Sequence, residues 1–194
     1  LRGQVNDQKA WLALCLIIAT IPVVIAGLIL KLTGFDVALR SITVVGWATL
    51  IFGLVLYWAD RTRSATKTAE SWTLKDATIM GLWQVLALIP GTSRSGITIT
   101  GARQLGYARH DAARLAMLMS IPTILASGVL LGAEVALSMD GAAARDAAIG
   151  AVFAFVAALG ALHFMMRLLR SVSFTPYVIY RVILGIVLLT IAYA

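Results

Sequence analysis

Pro90-Gly91-Thr92-Ser93-Arg94-Ser95-Gly96-Ile97-Thr98 interrupts an apolar run that would otherwise be long enough to cross a membrane. Residues 79–89 lie upstream, with Gln84 their only strongly polar side chain. Residues 97–105 lie downstream and are mostly apolar with threonines. Pro90-Gly91 divides residues 77–106 into two pieces of about 10–14 residues. Each is too short to span a hydrocarbon core and suits a hairpin that enters and leaves on one side.

The basic residues test that reading. With a re-entrant hairpin, residues 1–10, 59–76, 103–114 and 167–176 share one side. That side holds eleven cations: Arg2, Lys9, Arg61, Arg63, Lys67, Lys75, Arg103, Arg109, Arg114, Arg167 and Arg170. The other side holds three: Lys31, Arg40 and Arg145. If the segment crossed instead, the later loops would swap sides and the tally would be seven against seven. The bias selects the hairpin and places the basic side in the cytoplasm.

The remaining chain agrees with a bilayer protein. It is 194 residues long, 60% hydrophobic and 13% charged, with a mean hydropathy of +0.92. Soluble domains carry roughly 25% charge. Five further apolar runs, 11–30, 41–58, 112–137, 147–166 and 177–194, read as membrane spans. Trp11 and the Tyr57-Trp58 pair mark interfaces. Pro22 and Pro122 lie inside spans, and Pro22 is expected to kink the first. Residues 1–10, 31–40, 138–146 and 167–176 read as polar ends or connections. Residues 60–76 read as an exposed loop. The fold class is therefore an all-α polytopic membrane protein, one integral domain of about five transmembrane helices plus the re-entrant hairpin 77–106.

The net charge of +7 does not point to nucleic acid, because the cations flank apolar spans and are not interleaved with aromatics on a polar face. Cys15 is the single cysteine and lies inside the first run, so it reads as a small buried residue. The first residues are polar and no cleavage-like site precedes the span at Trp11. The sequence does not start with Met, which suggests that it begins inside a longer chain.

The hairpin tip has the chemistry of an anion site. Pro90 ends the first half-helix, and Gly91 and Gly96 allow a turn and a close ligand approach. The second half-helix starts near residues 93–95, so its free N–H groups and dipole point into the tip. Thr92, Ser93, Ser95 and Thr98 add hydroxyls, and Arg94 adds a planar fork suited to phosphate. A phosphate or pyrophosphate is the natural guest. Gln84 is placed to hydrogen-bond either the loop or a neighbouring helix. Arg181, in the last span, reads as snorkelling to the interface. His110 reads as a loop residue and His163 as interfacial. No His, Cys or carboxylate cluster has metal-ligand spacing, and no carboxylate lies deep in an apolar segment. The chain offers an anion cradle without an evident acid or base.

Gln84, followed six residues later by Pro90-Gly91-Thr92-Ser93-Arg94-Ser95-Gly96-Ile97-Thr98, resembles the second signature motif of the undecaprenyl-pyrophosphate phosphatases, or bacitracin resistance proteins. The similarity extends through Leu118-Met119-Ser120-Ile121-Pro122, Ser173-Phe174-Thr175-Pro176-Tyr177 and Tyr180-Arg181, and covers the C-terminal two-thirds of that family. The resemblance implies an inverted-repeat, transporter-like fold in the bacterial inner membrane. It also implies a hydrolase that converts undecaprenyl pyrophosphate to undecaprenyl phosphate and inorganic phosphate. By this resemblance Arg94 and Ser93 are catalytic. Gly91, Thr92, Ser93, Arg94, Ser95, Gly96 and Thr98 hold pyrophosphate, and Gln84 supports them. Mg²⁺ or Ca²⁺ is implied, with metal-binding carboxylates and a catalytic histidine in a preceding hairpin absent from these 194 residues. The phosphatidic-acid-phosphatase type of lipid phosphatase wants a histidine six residues after its arginine, where this chain has Thr100. A carrier of phosphorylated lipid without hydrolysis, or an inactive piece of the enzyme, remain the alternatives. A homo-oligomer is compatible with the sequence.

Overall fold

The computed structural model describes residues 8–62, 65–137, 141–168 and 173–194. Parts of the sequence-predicted connections, including Arg2, Arg63 and Arg170, lie outside these residues. The described residues are almost wholly helical. The helices are α1 (Gln8–Thr33), the one-turn α2 (Phe35–Ala38), α3 (Ile42–Thr62), α4 (Leu74–Val85), α5 (Arg94–Gln104), α6 (Arg109–Leu137), α7 (Gly141–Leu168) and α8 (Thr175–Tyr193). Five stretches are long and apolar enough to cross a membrane: Gln8–Thr33, Ile42–Thr62, Arg109–Val129, Arg145–Phe164 and Thr175–Tyr193. Each can reach about 30 Å at 1.5 Å per residue. Their outer faces expose large apolar side chains such as Ile25, Leu125, Phe153 and Ile183, as lipid-facing helices do. This is a polytopic membrane protein. Its α1 runs unbroken through Pro22 and its α6 through Pro122.

The two half-length helices, α4 with 12 residues and α5 with 11, form an antiparallel pair. Thr73 caps α4, its Oγ1 accepting from the Asp76 N–H at 3.1 Å. The outer ends of the pair are tied together. The N–H groups of Thr66 and Lys67 donate to the Gly106 carbonyl at 3.1 and 3.0 Å, and Ala108 N–H donates to the Lys67 carbonyl at 2.9 Å. At the inner end, α4 tightens into a 3-10 turn over Leu86–Leu88 before Pro90.

The pair sits in the middle of the bundle. The α4 helix packs closely on α1, where a Cβ at Gly81 would stand 3.0 Å from Ala19 Cα. The α5 helix is the most enclosed element, with every residue from Gly96 to Arg103 buried. Its polar groups are satisfied locally. Thr98 Oγ1 donates to the Arg94 and Ser95 carbonyls at 2.9 and 3.1 Å, and Thr100 Oγ1 donates to the Gly96 carbonyl at 2.8 Å. A core of Cys15, Ala19, Trp72, Met80, Tyr107, Leu115 and Met119 packs between α1, the pair and α6. The α8 helix runs antiparallel along α3, as Gly53 lies on Arg181, Leu50 on Gly185 and Gly46 on Leu189.

Most described residues of 60–76 are exposed, as the sequence suggests, but Asp60, Ala69, Trp72 and Asp76 are buried. Asp60 and Asp76 are buried and ion-paired. Asp60 meets Arg103 Nε at 3.1 Å and Arg109 Nε at 2.8 Å. Asp76 meets Lys67 Nζ at 3.0 Å and accepts from Tyr107 Oη at 2.7 Å. Trp11 Nε1 donates to the Trp72 carbonyl at 2.9 Å, and Ala69 N–H donates to Asp111 Oδ1 at 3.1 Å. One end of α1, α3, α4, α5 and α6 therefore converges in a single charged layer. His110 also departs from the expected loop: it is partly buried in the first turn of α6. His163 is exposed on α7.

Candidate active site

The loop between α4 and α5 lies at the far end of the pair from the charged layer. Its depth can be read along two helices. Thr49 on α3, which bonds Gly91, is eleven residues from Asp60, and Ser120 on α6, which bonds Arg94, is eleven from Arg109. Both intervals correspond to about 16 Å, half of a hydrocarbon core.

The loop backbone is held in an uncommon shape. Gly91 has φ +92° and Ser93 has φ +66°. Gly91 is pressed against α3, where a Cβ would stand 3.0 Å from Val45 Cα and 2.9 Å from Thr49 Oγ1. Only glycine fits that approach. Ser93 is the sole described non-glycine residue at positive φ, a conformation that costs on the order of 1–3 kcal/mol. It is also the N-cap of α5, its Oγ accepting from Gly96 N–H at 3.3 Å. The first-turn N–H groups of Arg94 and Ser95 have no carbonyl one turn back to bond, so they face the loop as donors.

Two guanidiniums converge here. Arg94, half-buried, donates from Nη1 to the Ser120 carbonyl at 3.4 Å. Arg181 does not snorkel to the interface, as the sequence suggests. It is only 4% exposed, because α8 places it against Gly53 in the middle of α3. Its Nη2 donates to the Gly91 carbonyl at 2.7 Å and to the Thr49 carbonyl at 3.2 Å, and Nε donates to the same Thr49 carbonyl at 3.3 Å. Nη1 reaches Tyr177 Oη at 3.4 Å. Tyr177 Oη in turn lies 2.8 Å from Ser93 Oγ. Thr49 Oγ1 adds a bond to the Gly91 carbonyl at 3.1 Å. Neither Arg94 nor Arg181 has a carboxylate partner among the described residues.

A family model described as "Bacitracin resistance protein BacA" matches residues 1–187. The chain belongs to this family. A protein from Dinoroseobacter shibae named "Undecaprenyl-diphosphatase" is 69% identical over 194 residues, covering 100% of this chain and 73% of the relative. One of the same name from Roseobacter denitrificans is 68% identical over 193 residues, covering 100% of this chain and 72% of the relative. A more distant one from Aliivibrio salmonicida is 41% identical over 191 residues, covering 95% and 68%.

Within this BacA-family chain the sequence-predicted residues 91–96 and 98 form one loop and the first turn of α5. Ser95 Oγ is 3.5 Å from Ser93 Oγ. Thr92 is buried and its Oγ1 has no partner among the described residues. Thr98 bonds backbone carbonyls and braces the turn. Gln84 takes the second of its two expected roles. Its Nε2 donates to Thr123 Oγ1 on α6 at 3.2 Å, while its Oε1 is buried without a partner among the described residues. Sequence reasoning gave no role to Thr49, Tyr177 or Ser120. The Tyr177-Arg181-Gly185 spacing of four residues, one face of a helix, was the available signal for α8.

Among the described residues no group of three or more His, Cys, Asp or Glu could hold a metal ion. The loop itself presents hydroxyls, N–H groups and guanidiniums, which are anion ligands. Asp60 and Asp76 are committed to cations in the charged layer. These residues do not by themselves fit a Mg²⁺ or Ca²⁺ site, since hard cations take carboxylate and carbonyl oxygens.

Proposed function

We propose that this chain hydrolyses undecaprenyl pyrophosphate to undecaprenyl phosphate and inorganic phosphate, with residues 91–98 as its pyrophosphate-binding loop. One observation carries the reading. Arg94 and Arg181 sit about 16 Å from the charged layer, with only neutral partners among the described residues, at the N-terminus of a buried half-helix. Cations held at this depth, Arg181 buried and Arg94 half-buried, are costly unless an anion arrives to pair with them. A pyrophosphate supplies that charge, and a polyprenyl chain has lipid-facing apolar surface beside it. The names of the relatives agree with this substrate.

The α4–α5 pair is, in this reading, a re-entrant hairpin. Its two outer ends are bonded to each other and share the charged layer. Residues from two of the four segments placed on one side by the basic tally also meet there, Asp60 with Arg103 and Arg109, and Trp11, next to a third, bonds Trp72. The enzyme would sit in the bacterial inner membrane, where its lipid substrate resides. Arg94 binds phosphate oxygens and stabilises the charge that builds on them as the anhydride bond breaks. Ser93, Ser95 and the first-turn N–H groups orient the same oxygens, and Gln84 and Thr98 fix the helices that carry them.

The test uses the full-length protein in detergent and measures inorganic phosphate released from undecaprenyl pyrophosphate. Arg94→Ala is expected to lower kcat/KM by about 10²-fold or more. Unchanged turnover in that variant would remove the loop from the reaction. Binding of the lipid by the wild type without any phosphate release would favour a carrier instead.

A further inference from the structure

Ser93 Oγ has three polar neighbours, and their donor and acceptor properties fix which way its own proton points. Gly96 N–H can only donate, and it reaches Ser93 Oγ at 3.3 Å. The guanidinium of Arg181 can only donate, and it reaches Tyr177 Oη at 3.4 Å. Its carbon also lies 5.8 Å from the centre of the Tyr177 ring. A phenol oxygen beside a cation is a poorer acceptor and a better donor, so the 2.8 Å contact between Tyr177 Oη and Ser93 Oγ runs from tyrosine to serine. Both lone pairs of Ser93 Oγ are then occupied, one by Gly96 N–H and one by Tyr177 O–H. The third neighbour, Ser95 Oγ at 3.5 Å, lies beyond the range of about 2.5–3.0 Å of an O–H···O bond, so what remains is a single outward proton.

We propose that Arg181, Tyr177 and Ser93 form a one-way hydrogen-bond relay that makes Ser93 a fixed donor to a phosphate oxygen and not the attacking nucleophile. Tyr177 and Arg181 are positioning residues that act through Ser93. The inference rests on the pyrophosphate reading of the loop. The positive φ of Ser93 serves the relay, because it turns the cap hydroxyl toward both α8 and Gly96 N–H at once. Arg181 has a second hold on the loop through the Gly91 carbonyl at 2.7 Å, so the cation that polarises Tyr177 also fixes the turn that presents Ser93.

A double-mutant cycle in the full-length protein tests this, with Tyr177→Phe, Ser93→Ala and their combination. Tyr177→Phe keeps the ring and removes only the hydroxyl. Two readouts are taken: kcat/KM for phosphate release, and Kd for a non-hydrolysable methylene-bisphosphonate lipid. The second reports even where turnover is abolished. Alone, Tyr177→Phe is expected to lower kcat/KM about tenfold and weaken Kd about threefold. On the Ser93→Ala background both costs are expected to vanish. Equal costs on the two backgrounds would overturn the relay, since Tyr177 would then act on substrate directly or on the fold. Acid-quenched wild type, turned over with substrate labelled in its terminal phosphate, is expected to carry no phosphoserine at Ser93. Phosphoserine there would overturn the assignment of Ser93 as donor. Arg94→Ala in the same assays separates the two levels: if it binds and turns over like wild type, the pyrophosphate reading itself fails.

Discussion

Asp60→Asn is the sharpest structural test of how the hairpin is anchored. The Asp60 side chain is 2% exposed, and it lies between Arg103, 3% exposed, and Arg109, 40% exposed. It accepts from Arg109 Nε at 2.8 Å and Nη2 at 3.0 Å and pairs with Arg103 Nε at 3.1 Å. Arg103 also donates to the Asp60 and Tyr107 carbonyls at 3.0 and 2.7 Å. The substitution keeps the shape and one acceptor oxygen but removes the charge. The Arg109 half of the triad is solvent-screened and worth at most about 1 kcal/mol. The Arg103 half is buried, and stripping one partner from a buried pair costs about 3–5 kcal/mol. The retained acceptor and the two carbonyl bonds favour the lower end, so the expected loss is about 3 kcal/mol. For a chain of this length that corresponds to about 6–12 °C in Tm, read by thermal unfolding in detergent. Arg109→Gln alone should cost far less. A drop of under about 2 °C for Asp60→Asn, or equal effects of the two substitutions, would refute the claim that a buried ion pair ties α3 to the end of α5.

Gly91→Ala places a methyl at φ +92° against Thr49 Oγ1 at 2.9 Å. It should cost more than about 1 kcal/mol in stability and disturb the carbonyl that Arg181 holds, so phosphate release should fall in an assay run well below the variant's Tm. Burial and the hydrogen bond to Asp76 push the Tyr107 hydroxyl well above its ordinary value. Its contribution to stability is therefore complete below about pH 10 and is lost as pH rises above that, because the unfolded chain ionises first. Tyr107→Phe should flatten the alkaline limb of a Tm-against-pH curve, and an unchanged limb would show that Tyr107 does not cause it.

The hairpin was legible because its signals are local. Proline-glycine inside an apolar run, half-length flanks and the sidedness of the basic residues all sit in one window or in a simple tally. The loop's turn and the start of α5 were legible for the same reason, since capping serine, glycines and arginine are contiguous. Arg181 was misread because its meaning is tertiary. The Gly91 carbonyl it binds is ninety positions away, and an arginine four residues after Tyr177 near the start of a span looks like an interfacial one. Only the packing of Arg181 on Gly53 and of Gly185 on Leu50 reveals that this face of α8 is pressed onto α3. Asp60 and Asp76 were missed by a similar mechanism. Each lies at the boundary between an apolar run and a polar stretch, and composition assigns such residues to water. The cations that bury them come from the same loop and from a segment forty to fifty residues away.

Five arginines of this chain, Arg94, Arg103, Arg109, Arg114 and Arg181, sort by depth, and the sorting bears on function. Arg103 and Arg109 pair with Asp60, and Arg114 with Glu70 at 2.8 Å, all in or beside the charged layer. Glu70, exposed, is held below its ordinary range chiefly by a backbone hydrogen bond and then by Arg114. Two turns or more deeper, Arg94 and Arg181 meet only carbonyl and hydroxyl oxygens and the Tyr177 ring among the described residues. A bundle selected for stability alone would place its uncompensated cations where water screens them, as charges in a membrane are costly at mid-depth. Here the compensated ones are at the edge and the uncompensated ones are at mid-depth. Neutral dipoles hold those two in position without cancelling their charge, which keeps the site attractive to an anion and leaves it little reorganisation to undergo when charge develops. On the proposed reading, the strain of Ser93 at positive φ is small against what two oriented cations would gain from a bound pyrophosphate.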